Sequence, residues 1–260
     1  MATLKASVVQ LPVTMDVAAN LAALSAGIDG LEAGTLVVAP EGLLSGYLPE
    51  PGFVARLDAG VTQQAIATMR ARVAAQGLHL VVGACLSADG VWRNSSFYMG
   101  PKRELRRYDK INLAQSERAD FVAGDRLPVF EIDHEGALVR LGIQMCREIR
   151  YPEQWRVLAA QGAQVIAYVN NAIGSPNGHE VWRAHVISRA AEIQRFVVGA
   201  NNAAPDQTCP SLIVAPSGAV LAQAEIGAVA TVHATLDLAE VSNWVLSQAR
   251  SDLMVVELRD

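Results

Sequence analysis

The chain has 260 residues, 51% of them hydrophobic but only 5% aromatic, with 18% charged residues and a formal net charge of −5. That is enough length for a large, mostly aliphatic core, in one large domain or two small ones. An acidic chain without Lys/Arg clusters argues against nucleic acid as a partner, and no apolar run reaches the length needed to cross a membrane.

In chain order, residues 6–11 read as a first buried strand, preceded by none of the basic region, apolar core or cleavage site of a signal peptide. Residues 16–31 place Val17, Leu21, Leu24 and Ile28 at helical spacing. Residues 35–39 form a short β-rich run that ends in Pro40-Glu41-Gly42. Residues 63–75 read as a second helix closed by Gly77, and residues 78–86 as a continuous apolar strand. Two further strands, 91–99 and 104–108, are joined at Gly100-Pro101. The densest basic patch, Lys102 to Arg107, contains Glu104 and reads as a solvated strand face. Residues 110–125 are irregular and polar, and 129–132 with 137–145 make a hairpin around Asp133-His134-Glu135-Gly136. Cys146 comes where that last strand stops, shortly before a helix over 152–161 that Pro152 opens. A strand at 165–169, an Asn-, Gly- and Pro-rich loop at 170–178 and a helix at 180–194 follow. Strands at 196–200, 211–214, 220–224 and 231–236 complete the body, and the tail from Ser242 either packs as a helix or leaves to touch a partner. No linker or repeat interrupts this order. It gives a single α/β domain over residues 1–260, with strand pairs that make the sheet mixed.

Three polar residues sit at or just after strand ends: Glu41, Lys110 and Cys146. Each alone has an ordinary reading, as a surface carboxylate, a solvated lysine and a small buried thiol. Together they suggest a cysteine nucleophile with a base and a cation. A thiol must lose its proton to attack, and a nearby carboxylate can accept it. The charge that builds on an attacked carbonyl or nitrile is stabilised by a fixed ammonium and a backbone N–H. The carboxylate can then return the proton to the leaving ammonia and activate water. The nearby helix N-terminus is expected to favour a Cys146 thiolate. Cys85, Cys146 and Cys209 are far apart and odd in number, which fits free thiols in a reducing cytoplasm.

Rival chemistries lack their signatures. There is no G-x-S-x-G elbow for a serine hydrolase, and no G-x-G-x-x-G or Walker loop for a nucleotide. His179 and His185 are six apart and lie on different helix faces, with no H-E-x-x-H or C-x-x-C, so neither metal nor cofactor is expected. Two non-hydrolytic alternatives stay open: a thiol-redox sensor on Cys146, which needs Cys85 or Cys209 to approach, and a non-catalytic binding protein, whose mark would be the loss of one of the three polar residues.

Three blocks carry a resemblance. Pro40-Glu41-Gly42-Leu43-Leu44-Ser45-Gly46-Tyr47, Tyr108-Asp109-Lys110-Ile111-Asn112-Leu113 and Cys146-Arg147-Glu148-Ile149-Arg150-Tyr151-Pro152-Glu153 occur in that order. In them the chain resembles the carbon–nitrogen hydrolase (nitrilase) superfamily over nearly its whole length. Ser188-Arg189-Ala190-Ala191-Glu192 and residues 211–218 match that family's later helix and strand-turn. The resemblance implies a four-layer α-β-β-α sandwich and a catalytic Glu41–Lys110–Cys146 triad. It implies a second glutamate, Glu117, that positions Lys110, and an oxyanion site made by the Lys110 ammonium and the Arg147 N–H. It further implies cofactor-free hydrolysis of a small amide or N-carbamoyl compound through a thioester. A homodimer or higher homo-oligomer would form through helices near the cysteine, here residues 151–161, with the tail after Ser242 as a second surface.

The chain also departs from the family. Asn112 stands where His is usual, Arg147 where a small or aromatic residue is, Glu148 where Asp is, and Ile193 where Asn is. Tyr47, Arg147, Glu148, Asn170, Asn171 and Trp182 flank the blocks as candidate pocket residues. In relatives that hydrolyse N-carbamoyl amino acids, residues placed like Arg150 and Asn171 bind the substrate carboxylate. Arg150 also has a structural reading, and Arg147 and Glu148 can pair with each other or with Arg150 and Glu153. Nitrile hydrolysis on the same triad is the alternative. The length disfavours it, because true nitrilases are usually longer.

Overall fold

The computed structural model describes residues 3–88, 90–174, 176–250 and 252. Strand β1 (Thr3–Gln10) leads to helix α1 (Val17–Ile28), then β2 (Leu36–Val38), α2 (Ala59–Gln76), β3 (His79–Ala88), β4 (Val91–Met99) and β5 (Leu105–Asp109). The second half runs β6 (Val129–His134), β7 (Ala137–Met145), α3 (Pro152–Ala160), β8 (Val165–Val169), α4 (His179–Ile193), β9 (Phe196–Ala200), β10 (Leu212–Val214) and β11 (Val220–Gln223). Strand β12 (Ala230–Asp237) then returns to pair antiparallel with β1, and α5 (Trp244–Ser247) follows.

Two six-stranded sheets result, ordered β12-β1-β2-β3-β4-β5 and β11-β10-β9-β8-β7-β6. Both are mixed: β1–β2–β3 and β7–β8–β9 are parallel and the other neighbours antiparallel. Side chains alternate across each strand, and this alternation builds the layers. Leu36 and Val38 of β2 join the core between the sheets, while Val37 packs with Leu24 and Ile28 of α1 and Met69 and Val73 of α2. Helices α3 and α4 cover the second sheet in the same way through Trp155, Leu158, Val186 and Ile193. The architecture is the expected four-layer α-β-β-α sandwich.

The element boundaries differ from expectation where caps decide them. Helix α2 begins at Ala59, because the Asp58 carboxylate accepts the N–H groups of Gly60 at 2.8 Å and Val61 at 3.0 Å. Helix α1 ends at Ile28, where Asp29 turns extended. The tail packs as a helix over Trp244–Ser247, tied down by buried Arg195, which donates to the Ser242 carbonyl and the Asn243 side chain. Residues 251 and 253–260 of that tail lie outside the described residues. No helix among the described residues is long and apolar enough to cross a membrane.

Strands β2 and β5 run the same way in the first sheet and β7 and β8 in the second, and hydrogen bonds of Glu41 with Asn170 and Asn171 join the carboxyl ends of the two sets. The segments that follow them carry Glu41, Lys110, Cys146 and Asn171. The sandwich therefore gathers, at one end and between its sheets, residues up to 130 apart in sequence.

Candidate active site

Lys110 is the centre of the site. Its ammonium donates to Oε1 of Glu41 at 2.8 Å and to Oε1 of Glu117 at 2.9 Å, and all three side chains are buried. Burial works against the lysine's charge, but the two carboxylates outweigh it and hold Lys110 well above the usual lysine range. One ammonium thus serves two carboxylates, and they divide it unequally. Glu117 also accepts from the Tyr47 hydroxyl at 2.9 Å, Asn94 Nδ2 at 2.7 Å and the Ala114 N–H at 2.6 Å. Burial pushes its carboxyl up, and Lys110 and these donors pull it back below the ordinary value. Glu41 accepts from Asn94 Nδ2 at 2.7 Å and the Asn171 N–H at 3.0 Å. Complete burial raises its carboxyl, helped by the neighbouring Glu117 charge and opposed by Lys110.

Cys146 is half-buried and follows β7 with a left-handed φ of 37°. Its thiol donates to the Asn171 carbonyl at 3.8 Å. The Asn171 backbone therefore bridges Glu41 and Cys146, its N–H on the carboxylate and its C=O on the thiol. The expected thiolate is not what the environment favours: burial first, and then the Glu41 charge, push the Cys146 thiol up. The reason is local. A short 3-10 segment, Cys146–Arg150, separates the cysteine from α3, so the N-terminus of that helix lies six residues away. A field that fades within the first turn of a helix does not offset desolvation.

Two close approaches set the Glu41 loop. Gly83 of β3 donates to the Pro40 carbonyl and accepts from the Leu44 N–H, both at 3.1 Å, and a Cβ there would lie 2.5 Å from Glu41 Cα. Gly42 has φ +73°, and its Cβ would meet that of Tyr47 at 2.4 Å.

A cavity of about 370 Å³ opens above Cys146. Tyr47, Arg147, Arg150, Asn171 and Trp182 line it together with Lys110 and Cys146. The Tyr47 hydroxyl is committed to Glu117, so only its ring is free to meet a ligand. The Arg150 guanidinium stacks over Trp182, 5.5 Å from the ring centroid. The Asn171 side-chain oxygen accepts from Asn202 Nδ2 and Gln207 Nε2, both at 3.1 Å, which leaves its Nδ2 to donate to a ligand.

Glu148 and Asn170 do not line the cavity, contrary to expectation. Glu148 is buried beneath it, accepting from the Tyr108 hydroxyl at 2.7 Å and from the N–H groups of Ile111, Asn112 and Met145. It welds the lysine loop to the cysteine loop and pairs with no arginine among the described residues. Asn170 is turned inward to the Tyr168 and Ala200 carbonyls. Asn94, Asn202 and Gln207 are the residues that sequence reasoning missed. The one available signal was an Asn set in the middle of a strand. Cys85 lies in a separate cluster with Tyr47 and Phe121, and Cys209 in the core between the sheets; both are free thiols.

A family model described as carbon-nitrogen hydrolase matches residues 5–245. An (R)-stereoselective amidase from Pseudomonas sp. is 34% identical over 168 residues, which are 64% of this chain and 58% of that protein. A deaminated glutathione amidase from Synechocystis sp. is 30% identical over 151 residues, 50% of this chain and 53% of that protein. The chain thus matches little more than half the length of these curated relatives. A mutant amidase from Nesterenkonia sp. AN1, with the acetamide moiety of fluoroacetamide covalently added at its active-site cysteine, superposes with a TM-score of 0.81 at 21% identity, covering 96% of this chain and 95% of that one.

Proposed function

The chain belongs to the carbon–nitrogen hydrolase family, and on that premise we propose that it hydrolyses a small amide through a Cys146 thioester. The observation that carries this reading is one buried ammonium shared by two carboxylates beside a half-buried thiol. With the thiol held protonated, attack requires a base, and Glu41 is the carboxylate of the pair whose proton affinity is raised. Glu41 takes the thiol proton as sulfur attacks the carbonyl. Lys110 and the Arg147 N–H stabilise the oxyanion, a contribution of about 3–4 kcal/mol for one such donor elsewhere. Glu41 then gives its proton to the departing ammonia, and deprotonates a water that releases the acid. Glu117, which accepts from four donors, two of them shared with Glu41, stays ionised and keeps Lys110 charged and in place.

The test is ammonia release from a panel of amides, N-carbamoyl compounds and nitriles, with the stopped reaction weighed by mass spectrometry. We expect release from amides and an acyl adduct on the Cys146 peptide. Release from nitriles alone would move the reading to a nitrilase. No adduct or release from any class, together with ready oxidation of Cys146 by mild peroxide, would favour the thiol-sensor alternative.

The same reading includes a homodimer built on α3 and the segment from Ser242. Supporting it, a cavity of about 430 Å³ lined by Pro152, Arg156, Val245 and Leu246 opens beside Trp244, which is 66% exposed. Native mass spectrometry should read twice the chain mass. A monomer at micromolar concentration would reject this part of the proposal.

A further inference from the structure

The geometry points to Arg147 as the specificity-determining residue of this cavity: it binds a carboxylate carried at the far end of the amide substrate. This rests on the amidase reading above and narrows it to a substrate class.

Charge is distributed unevenly around Cys146. In the core of the site two carboxylates surround one ammonium. Outside that core the charged residues that line the cavity are Arg147 and Arg150, with no Asp or Glu among the described residues. Arg150 has a partner, the Trp182 ring. Arg147 has none of that kind. Its sequence neighbour Glu148 is turned away and saturated by Tyr108 and three backbone N–H groups. No ion pair among the described residues involves Arg147, and its Nε is buried without a hydrogen-bond partner.

A buried donor left unmade is costly, and a guanidinium that braced the fold would have its donors used by the fold. Arg195 shows the contrast in the same chain: its Nε, Nη1 and Nη2 all donate to backbone carbonyls. Arg147 instead lines the cavity, one residue beyond Cys146. The fork matches a carboxylate through two parallel hydrogen bonds. A cationic substrate would face two arginines there, and a neutral one would leave the Arg147 charge without a counter-ion. The volume of about 370 Å³ limits the ligand to a small one. The net negative core disfavours a doubly charged group such as phosphate. The substrate is thus a short amide with a carboxylate a few carbons from the scissile carbonyl.

The experiment compares kcat/KM for succinamate and glutaramate with that for butanamide and pentanamide, in the wild type, Arg147→Gln and Arg147→Glu. The wild type should favour the carboxylated amides. Arg147→Gln should cut that preference by roughly 10- to 100-fold, the span expected for hydrogen bonds to a charged group, mainly through KM. Arg147→Glu should turn the preference toward 4-aminobutanamide. Equal use of neutral and carboxylated amides by the wild type, or a preference that survives in Arg147→Gln, overturns the inference. A binding readout keeps it separate from the amidase reading. Glutarate should slow the alkylation of Cys146 by iodoacetamide in the wild type but not in Arg147→Gln, whether or not any amide is turned over. Failure of glutarate to protect the wild type overturns the anion site. Ammonia release from no amide, with protection intact, overturns only the hydrolytic reading. An unchanged far-UV circular dichroism spectrum and thermal midpoint in each variant confirm that the fold is kept.

Discussion

Cys146→Ser is expected to show no ammonia release above background, a fall of roughly a million-fold, the scale seen when a hydrolase loses its nucleophile. The replacement is nearly isosteric, so the fold should survive with an unchanged thermal midpoint. The loss comes from acidity. A hydroxyl gives up its proton far less readily than a thiol, and this position already penalises the anion. Burial and the Glu41 charge push even the thiol up. Glu41 is poised for a thiol and would be far too weak a base for an alcohol here. The left-handed φ of 37° at Cys146 also holds the side chain where β7 meets the short 3-10 turn, so serine would be presented correctly yet unreactive. Measured turnover within a hundred-fold of wild type would remove Cys146 from the nucleophile role.

The fate of that thiol shows what the sequence could and could not convey. The positions of Glu41, Lys110 and Cys146 were legible because each stands at or just after the end of a strand-like segment, and strand ends are where a sheet presents side chains to a ligand. The strands themselves were legible as apolar runs, although runs buried on both faces do not say how many sheets they form. Periodicity gave no sign that β12 returns to the edge of β1 or that two sheets stack; the resemblance supplied that layering. The thiolate expectation failed because a sequence shows the helix start at Pro152 but not the five-residue turn before it, nor the depth of burial. Asn94 was missed for a related reason. Its Nδ2 bridges Glu41 and Glu117, 53 and 23 residues away, and its place in mid-strand, the one sign at the position, does not say which partners it meets. Glu148 was misplaced because an acidic residue beside two arginines suggests an ion pair, whereas the end of β5 and the loop after it bring it three other donors.

Glu41→Gln should lower kcat/KM by about a thousand- to ten-thousand-fold, the upper range for a positioned general base, and should change the pH profile as well. Activity needs Glu41 ionised. Its carboxyl lies above the ordinary 4.5 because burial disfavours the charge, so the wild-type rate should fall with decreasing pH through a midpoint higher than that of a free glutamate. Lys110 is held well above its usual range, so its deprotonation sets no limit near neutrality. The residual rate of Glu41→Gln should lack the acid limb altogether. A structural cost accompanies the chemical one. Glu41 uses both oxygens, Oε1 for Lys110 and Asn94 and Oε2 for the Asn171 N–H. Glutamine has one oxygen, so its amide nitrogen must face a donor on one side, a conflict of about 1–3 kcal/mol. Glu41→Asp separates the two effects. It keeps a carboxylate that is too short to reach, and should be slow yet retain the acid limb. If Glu41→Gln keeps that limb, another group is the base, and the shared ammonium of Lys110 points to Glu117 as the one to examine. Against that outcome stands the division of donors: with Lys110, Tyr47, Asn94 and the Ala114 N–H all on its oxygens, Glu117 has less proton affinity to offer than Glu41.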